Sequence, residues 1–462
     1  MAALSRSELK RGMRNSIREG MLSDAGSSMR SSDFITAFAL FLGAGAEIIG
    51  IASALPRLFR IFSLLFTGRI MGMFKSLKKA TTLFAILSRA VWLPVLFVPY
   101  IGAHALLALI LMTCAAAAFS EVSGAIWTSW MCDLVPEKAR GRYFGRRNMM
   151  TIGASTAATM LAGWVLGLYN SAEGFILVFG ASIALSLASN YFLSKVPDVE
   201  DRECFQKVRF SMKRFARGIT EHKNYSNYVV LMTLLYFSTS LVGPFFAVRM
   251  LRDLGFGYFW FSAVIASEIL TMMFAEPYWG RMSDRFGDRT IMKLSYMMIP
   301  VVPLLWIFVT QPWQGMAIGV LSGFAWAGFE ISSFNYLLAC APKKGQPVFI
   351  ANYKVFFNVG TFLGPIAGGL MLVMLGSAEF LALSGIQMLF LTSFALRALF
   401  AGLTLPRIGE VRVRSSKPFL QLFINSLTIY PASSVRHELV YVGRCMHCWE
   451  KKVFKGVRGA VI

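Results

Sequence analysis

Along the chain, blocks of about twenty apolar residues alternate with short polar punctuation. "YFWFSAVIASEILTMMFAEPYW" gives way to "GRMSDRFGDRT", Gly280 to Thr290, and then to "IMKLSYMMIPVVPLLWIFV". A block of this length crosses the ~30 Å hydrocarbon core of a bilayer as a helix. The strands of a membrane β-barrel would instead alternate over about ten residues. Twelve such blocks can be counted, at 20–43, 46–68, 80–100, 103–131, 148–168, 174–195, 225–250, 258–279, 291–310, 314–340, 349–374 and 379–405. The longest polar stretch between them, 196–224, divides them six and six. The pattern therefore predicts an all-α membrane protein of twelve transmembrane helices in two six-helix bundles. The bundles are expected at 1–195 and 225–405, with a central cytoplasmic loop at 196–224 and a basic cytoplasmic tail at 406–462.

Charge orients the blocks. Arg69, Lys75, Lys78 and Lys79 fall in one connection, and Lys138, Arg140, Arg142, Arg146 and Arg147 in another. The same side takes the middle stretch, the Gly280–Thr290 segment, Lys343 and Lys344, and both basic termini. The alternate connections, "GAG", "YIGAH", "YNSAE", "RDLGFG", "TQPWQG" and "GSAE", contain Arg252 as their single basic residue. Excess Lys and Arg mark the cytoplasmic side. Both termini are thus expected in the cytoplasm, as an even number of spans requires, with the protein in the cell (inner or plasma) membrane.

The composition fits: 56% of residues are hydrophobic and only 15% charged, where soluble domains carry about 25% charge. The net charge of +22 would point to nucleic acid in a soluble protein. Here it sits between apolar blocks and no aromatic–basic recognition motif accompanies it, so no nucleic-acid partner is expected. The opening "MAALSRSELKRGMRNSIREG" lacks the apolar core of a cleaved signal peptide. Cys114, Cys132, Cys204, Cys340, Cys445 and Cys448 form no paired framework and are expected as free thiols. His437 with the "CMHCW" segment is read as part of a solvated tail rather than a zinc site, since one CxxC lacks a second pair. None of the histidines (His104, His222, His437, His447) lies in a nucleophile motif, and no GxxxxGK[ST] phosphate loop occurs. An enzyme, a cofactor, a metal and direct ATP coupling are accordingly not expected.

The halves echo each other. "MCDLVPEKARG" and "LLACAPKKGQP" place Pro136 with Pro342 and Lys138 with Lys344, an offset of 206. Parallel six-helix repeats are a transporter architecture, with the substrate at the repeat interface near the midplane. Between Gly280 and Thr290 the chain must turn quickly, which Gly280 and Gly287 allow, and Asp284 can cap a helix start. This "GRMSDRFGDR" resembles the cytoplasmic signature of the major facilitator superfamily, with Gly280, Asp284, Arg285, Gly287 and Arg289 in the motif positions. The other expected copy, "GRIMGMFKSLKK", departs from the pattern, having Gly72 where the aspartate belongs and Met73 where the arginine belongs. The resemblance covers about residues 20–405. It implies the major facilitator fold, a monomer, a latch role for the motif, and a central cavity lined by the first, fourth, seventh and tenth spans.

Ionisable residues inside spans are costly and are functional candidates. Arg57 and Arg60 share a face of the second span. Asp24, Arg30 and Asp33 lie on the first span, Glu121 on the fourth, and Glu330 with Asn335 on the tenth. These eight are the candidate substrate or proton residues. Arg57 and Arg60 could equally neutralise Asp24 and Asp33. Glu276 is expected to pair with the motif arginines, Glu268 and Arg89 are left without a role, and Trp127, Trp130 and Trp326 are candidates for stacking on a ligand. The resulting expectation is a secondary transporter of a small solute, driven by protons and surrounded by lipid. An uncoupled facilitator and a non-transporting receptor or scaffold of the same fold are the alternatives. A sugar, an organic anion, a zwitterion and a drug-like compound all remain open as substrate.

Overall fold

In lipid every backbone polar group must be satisfied internally, which helices achieve within one segment. The apolar blocks fold in that way. The computed structural model describes residues 5–198, 222–341, 346–375 and 383–410, and among these the chain is helical with no β-strand. The residues 199–221, the Pro342–Gly345 connection and the tail from 411, with its CMHCW segment, lie outside the described residues.

The helices are α1 (Arg6–Ser28), α2 (Ser32–Phe41), α3 (Ala46–Met73), α4 (Leu77–Ala90), α5 (Ala105–Leu134), α6 (Glu137–Leu168) and α7 (Ala172–Ser194). After the central stretch come α8 (Lys223–Ser240), α9 (Phe245–Val248), α10 (Tyr258–Phe286), α11 (Asp288–Met298) and α12 (Val301–Trp306). The last are α13 (Pro312–Cys340), α14 (Gln346–Leu375) and α15 (Gly385–Thr404). Among the described residues, ten segments are long and apolar enough to cross a membrane.

The other two predicted spans are each broken. The first begins well before residue 20, because a capping box starts α1 at Ser5. There the Ser5 hydroxyl accepts from the Glu8 amide at 3.2 Å and the Glu8 carboxylate from the Ser5 amide at 2.9 Å. The helix stops at Ser28 and restarts as α2, which carries the apolar part. The ninth splits into α11 and α12 at Ile299–Pro300, where proline has no amide hydrogen to give the helix.

In the first half α1 packs on α6 and α7, and α5 on α3 and α4; in the second half α13 packs on α10 and α11, and α8 on α14 and α15. The two sets meet where α3 crosses α14, α6 crosses α10, and α2 touches α9. Missing side chains set these crossings. A Cβ on Gly50 of α3 would lie 2.5 Å from the Pro365 carbonyl oxygen of α14, and one on Gly369 of α14 would lie 2.9 Å from that of Ala46. The helix backbones touch there, as small residues allow in membrane packing. The rings of Phe34 on α2 and Phe261 on α10 meet edge to face at 5.7 Å.

Exposed Tyr100, Tyr169, Trp260 and Trp313 sit at the helix ends joined by the connections poor in Lys and Arg. This is the position of an interfacial aromatic belt. Exposed Phe62, Phe66, Leu107, Leu111, Leu363 and Leu370 line the flanks of α3, α5 and α14, as lipid-facing residues do.

Candidate functional site

A polar cavity of about 590 Å³ opens among the helices of the first half, a size typical of small-molecule sites. Residues from α1 to α5 line it, with Arg147 from α6 and Leu193 from α7. The lining includes five arginines, Arg30, Arg57, Arg60, Arg89 and Arg147, against two carboxylates, Glu19 and Asp24. Serines at positions 23, 27, 31, 32, 53, 88, 120 and 123 add hydroxyls.

Each charge is placed by its helix. Glu19 lies one turn below Ser23 on α1 and takes both Arg89 of α4, at 3.5 Å, and Arg147 of α6, at 3.7 Å. Arg89 also donates to the Ser23 hydroxyl at 3.2 Å and to Asn190 of α7. The Arg147 guanidinium stacks over Trp127 of α5 at 4.4 Å and passes Gly20, where a Cβ would lie 2.5 Å from its Nη2. Asp24 interacts with Arg147 and accepts from Thr151. Arg30 is 91% buried; it stacks on Trp92 at 5.2 Å and donates through Nη2 to the Ser186 hydroxyl at 2.7 Å. Arg57 and Arg60 project from α3 beside Pro56, whose ring removes the amide that would have bonded the Ala52 carbonyl. Ala52 and Pro56 both line the cavity.

Four of the eight candidate residues, Asp24, Arg30, Arg57 and Arg60, meet in this cavity. Asp33 lies just off its rim, bonded to Ser31 and within electrostatic reach of Glu268 on α10. Glu121 faces Arg57 from α5 but is not part of the lining. Arg57 and Arg60 do not neutralise Asp24 and Asp33, since Asp24 is taken by Arg147 and Asp33 by Ser31.

The cavity is lined wholly from the first half, not from the interface between the halves. Its walls include α3 and α4 as well as the first and fourth spans, and no residue of the seventh or tenth. Glu330, on α13 in the second half, is surrounded by Tyr236, Tyr353, Glu268 and Glu276, and Asn335 follows on the same helix. Glu276 therefore interacts with Glu330 and makes no ion pair with a motif arginine among the described residues. Glu268 accepts from Ser322 at 2.8 Å. Trp130 is fully buried and donates to the Pro197 carbonyl, and Trp326 packs on Tyr236 and Phe329, so only Trp127 of the three reaches the cavity.

The motif segment is more helical than expected. Gly280, Asp284 and Arg285 belong to the last turns of α10, and the chain turns at Gly287 alone, with φ 91°. Gly280 needs neither positive φ nor close packing. The carboxylate at the start of α11 is Asp288, which accepts from Ser283 at 2.5 Å, rather than Asp284. Arg289 reaches Glu410 at 3.4 Å, just beyond α15. Cys114, Cys132 and Cys340 are free thiols, and no metal-binding cluster occurs among the described residues.

Helices of membrane length enclosing a charged cavity define a multi-pass membrane protein with an internal solute-sized site. The profile of the Major Facilitator Superfamily matches residues 228–437. The multi-drug resistance efflux pump PmrA of Streptococcus pneumoniae is 23% identical over 252 residues, 52% of this chain and 60% of the pump. The multidrug resistance protein MdtG of Salmonella paratyphi A is 28% identical over 183 residues, 38% of this chain and 45% of that protein. The chain thus spans at most about 60% of the length of these curated relatives. Two solved structures match nearly end to end. The nucleoside transporter NupG has a TM-score of 0.65 at 14% identity, covering 86% of this chain and 98% of its own. A bacterial homologue of the human lysosomal transporter Spinster has 0.63 at 14%, covering 88% and 98%. The chain is thus similar to the Major Facilitator Superfamily over residues 228–437, and its fold is that of the two transporters over most of its length.

Proposed function

We propose that the protein is a secondary transporter that moves a small solute across the cell membrane by alternating access. The observation that carries this reading is the cavity of about 590 Å³ among membrane-length helices, with seven charged side chains in its lining. A protein that only scaffolds others has no use for so many charges among membrane-length helices, which cost stability unless a ligand or a partner compensates them.

In this reading the six-helix bundles of 1–195 and 225–405 rock about the α3–α14 and α6–α10 crossings. Both termini lie in the cytoplasm, the protein works as a monomer, and the Gly280–Arg289 motif helps to hold one access state. Protons drive the cycle through Glu121, beside the cavity, and Glu330, among the carboxylates and tyrosines of the second half. Similarity to efflux pumps supports export as the direction.

The test is flux through the purified chain in proteoliposomes, using a panel of labelled organic anions, nucleosides, sugars and lipophilic cations. Saturable uptake or release of one panel member, lost when Arg57 and Arg60 are both made Gln, is the expected result. An absence of flux for every class, from protein shown to be folded, would leave the receptor or scaffold reading in its place. Flux that ignores an imposed pH gradient would make the protein an uncoupled facilitator.

A further inference from the structure

Within the transport reading, the cavity's chemistry narrows the solute. We infer that it is an oxyanion site: Arg30, Arg57 and Arg60 hold a carboxylate or phosphate group in the first-half cavity.

The charges do not balance. Of the five lining arginines, Arg89 and Arg147 share Glu19, and Asp24 adds to Arg147. Arg30, Arg57 and Arg60 have no carboxylate within ion-pair distance among the described residues, although Glu121 exerts its field on Arg57. The lining keeps a formal excess of three positive charges, or two when Glu121 is included. Guanidinium stays protonated under all ordinary conditions, so the excess cannot be relieved by losing protons.

The hydrogen-bonding groups are unbalanced in the same sense. Arg30 Nη1, Arg60 Nε, Arg147 Nε and Trp127 Nε1 are buried donors on lining residues with no acceptor in the protein. No carboxylate oxygen of a lining residue is a buried acceptor left without a donor among the described residues. Arg30 is the most telling of the donors. Trp92 and Ser186 fix its guanidinium plane, it is 91% buried, and one nitrogen remains to be filled. Surplus donors and surplus positive charge are met together by a ligand with several negative oxygens. Guanidinium groups bind carboxylate and phosphate in two-pronged fashion. A lipophilic cation would add to the existing repulsion.

Such an oxyanion could be a free solute or the headgroup of an anionic lipid. The full chain is purified in detergent, and its thermal unfolding is followed with citrate, inorganic phosphate, glucose and tetraphenylphosphonium, ionic strength being held constant with sodium chloride. Citrate or phosphate should raise the midpoint saturably, and glucose and tetraphenylphosphonium should not. In nanodiscs of phosphatidylcholine alone, a retained citrate or phosphate response identifies a free anion. A midpoint raised only when phosphatidylglycerol is added identifies a headgroup.

The variants R57Q and R60Q should each weaken the half-saturating concentration at least tenfold. If they fail to fold, S53F, which narrows the cavity at the α3 wall and keeps every charge, should weaken the response instead. Stabilisation by tetraphenylphosphonium alone, by none of these probes, or an anion response unchanged in the variants would overturn the assignment. Binding is read without flux, so an oxyanion site in a protein that fails the proteoliposome assay would refute transport and keep the site. Flux of a cation alone would do the reverse.

Discussion

Arg147 follows Arg146 in a run of basic residues that reads as a cytoplasmic anchor, yet it turns inward over Trp127 and shares Glu19 with Arg89. Glu19 is 5% exposed, and its removal would leave two arginines facing one another. Breaking a buried ion pair from one side costs about 3–5 kcal/mol. Glu19→Gln is therefore expected to lower the thermal midpoint of the purified protein clearly, and Arg147→Gln to do so less, because Arg89 would still hold Glu19. Unfolding curves in detergent check this, and a Glu19→Gln protein as stable as the parent would remove the bridging role. The sequence carried one sign of this site: Glu19, Ser23, Ser27 and Ser31 recur every fourth position, a polar stripe on one helix face. The start of α1 hid it, since a helix opening among basic residues does not announce that it continues into the membrane. Arg57 and Arg60 were visible as a pair because they interrupt an apolar run. Which carboxylates they would meet depended on tertiary packing that no spacing specifies.

Long apolar helices were legible because hydrophobic length alone decides them. The broken ones, α1–α2 and α11–α12, depend on a capping box and on Pro300, local chemistry that hydropathy averages away. Glycine contacts between helices are equally silent in a hydropathy profile. Gly360, Gly364 and Gly368 on α14 recur every four residues and lie against α8, where a Cβ on Gly364 would sit 2.6 Å from the Phe237 carbonyl oxygen. Overpacking of this kind costs about 1–3 kcal/mol. Gly364→Val should lower the unfolding midpoint, whereas Gly280→Ala, with open space at its Cβ, should leave it unchanged. Equal effects would show that α8 and α14 can separate at little cost. The α10–α11 corner turns at Gly287 alone, and Asp284 occupies the last turn of α10. In the latch reading Asp284→Asn is expected to slow or abolish flux while membrane insertion stays normal, measured by proteoliposome transport alongside membrane yield. Flux equal to the parent's would leave the corner with only a topological role.

The whole molecule divides its charge unevenly. The first half holds an arginine-rich cavity, and the second gathers Glu268, Glu276 and Glu330 near tyrosines. Arginine cannot release a proton at working pH, so in the proton-driven reading coupling falls to the carboxylates. Glu330→Gln and Glu121→Gln should fold normally, lose uphill accumulation driven by an imposed pH jump, and retain exchange of solute for solute. Both variants accumulating like the parent would shift the coupling role to Asp24 and Asp33. The all-helical membrane character and the likeness to the superfamily were readable from the spans and the motif. The placement of the cavity within one half was not, because it follows from which helices touch at Gly50, Gly163 and Gly369.

A cavity whose arginines cannot shed their charge has an electrical consequence. If its access switches sides, the empty form carries cationic charge through part of the membrane, whereas the anion-filled form carries less. A charge crossing the full membrane potential gains about 2.3 kcal/mol per 100 mV, so even a partial displacement biases the cycle. An interior-negative voltage should draw the empty cavity toward the cytoplasm and slow its return, and the filled cavity should respond weakly. Proteoliposomes clamped with valinomycin and a potassium gradient would report this as a net flux that changes with voltage beside an exchange that does not. Equal indifference of both would mean that these arginines stay fixed in the electric field while the protein turns over.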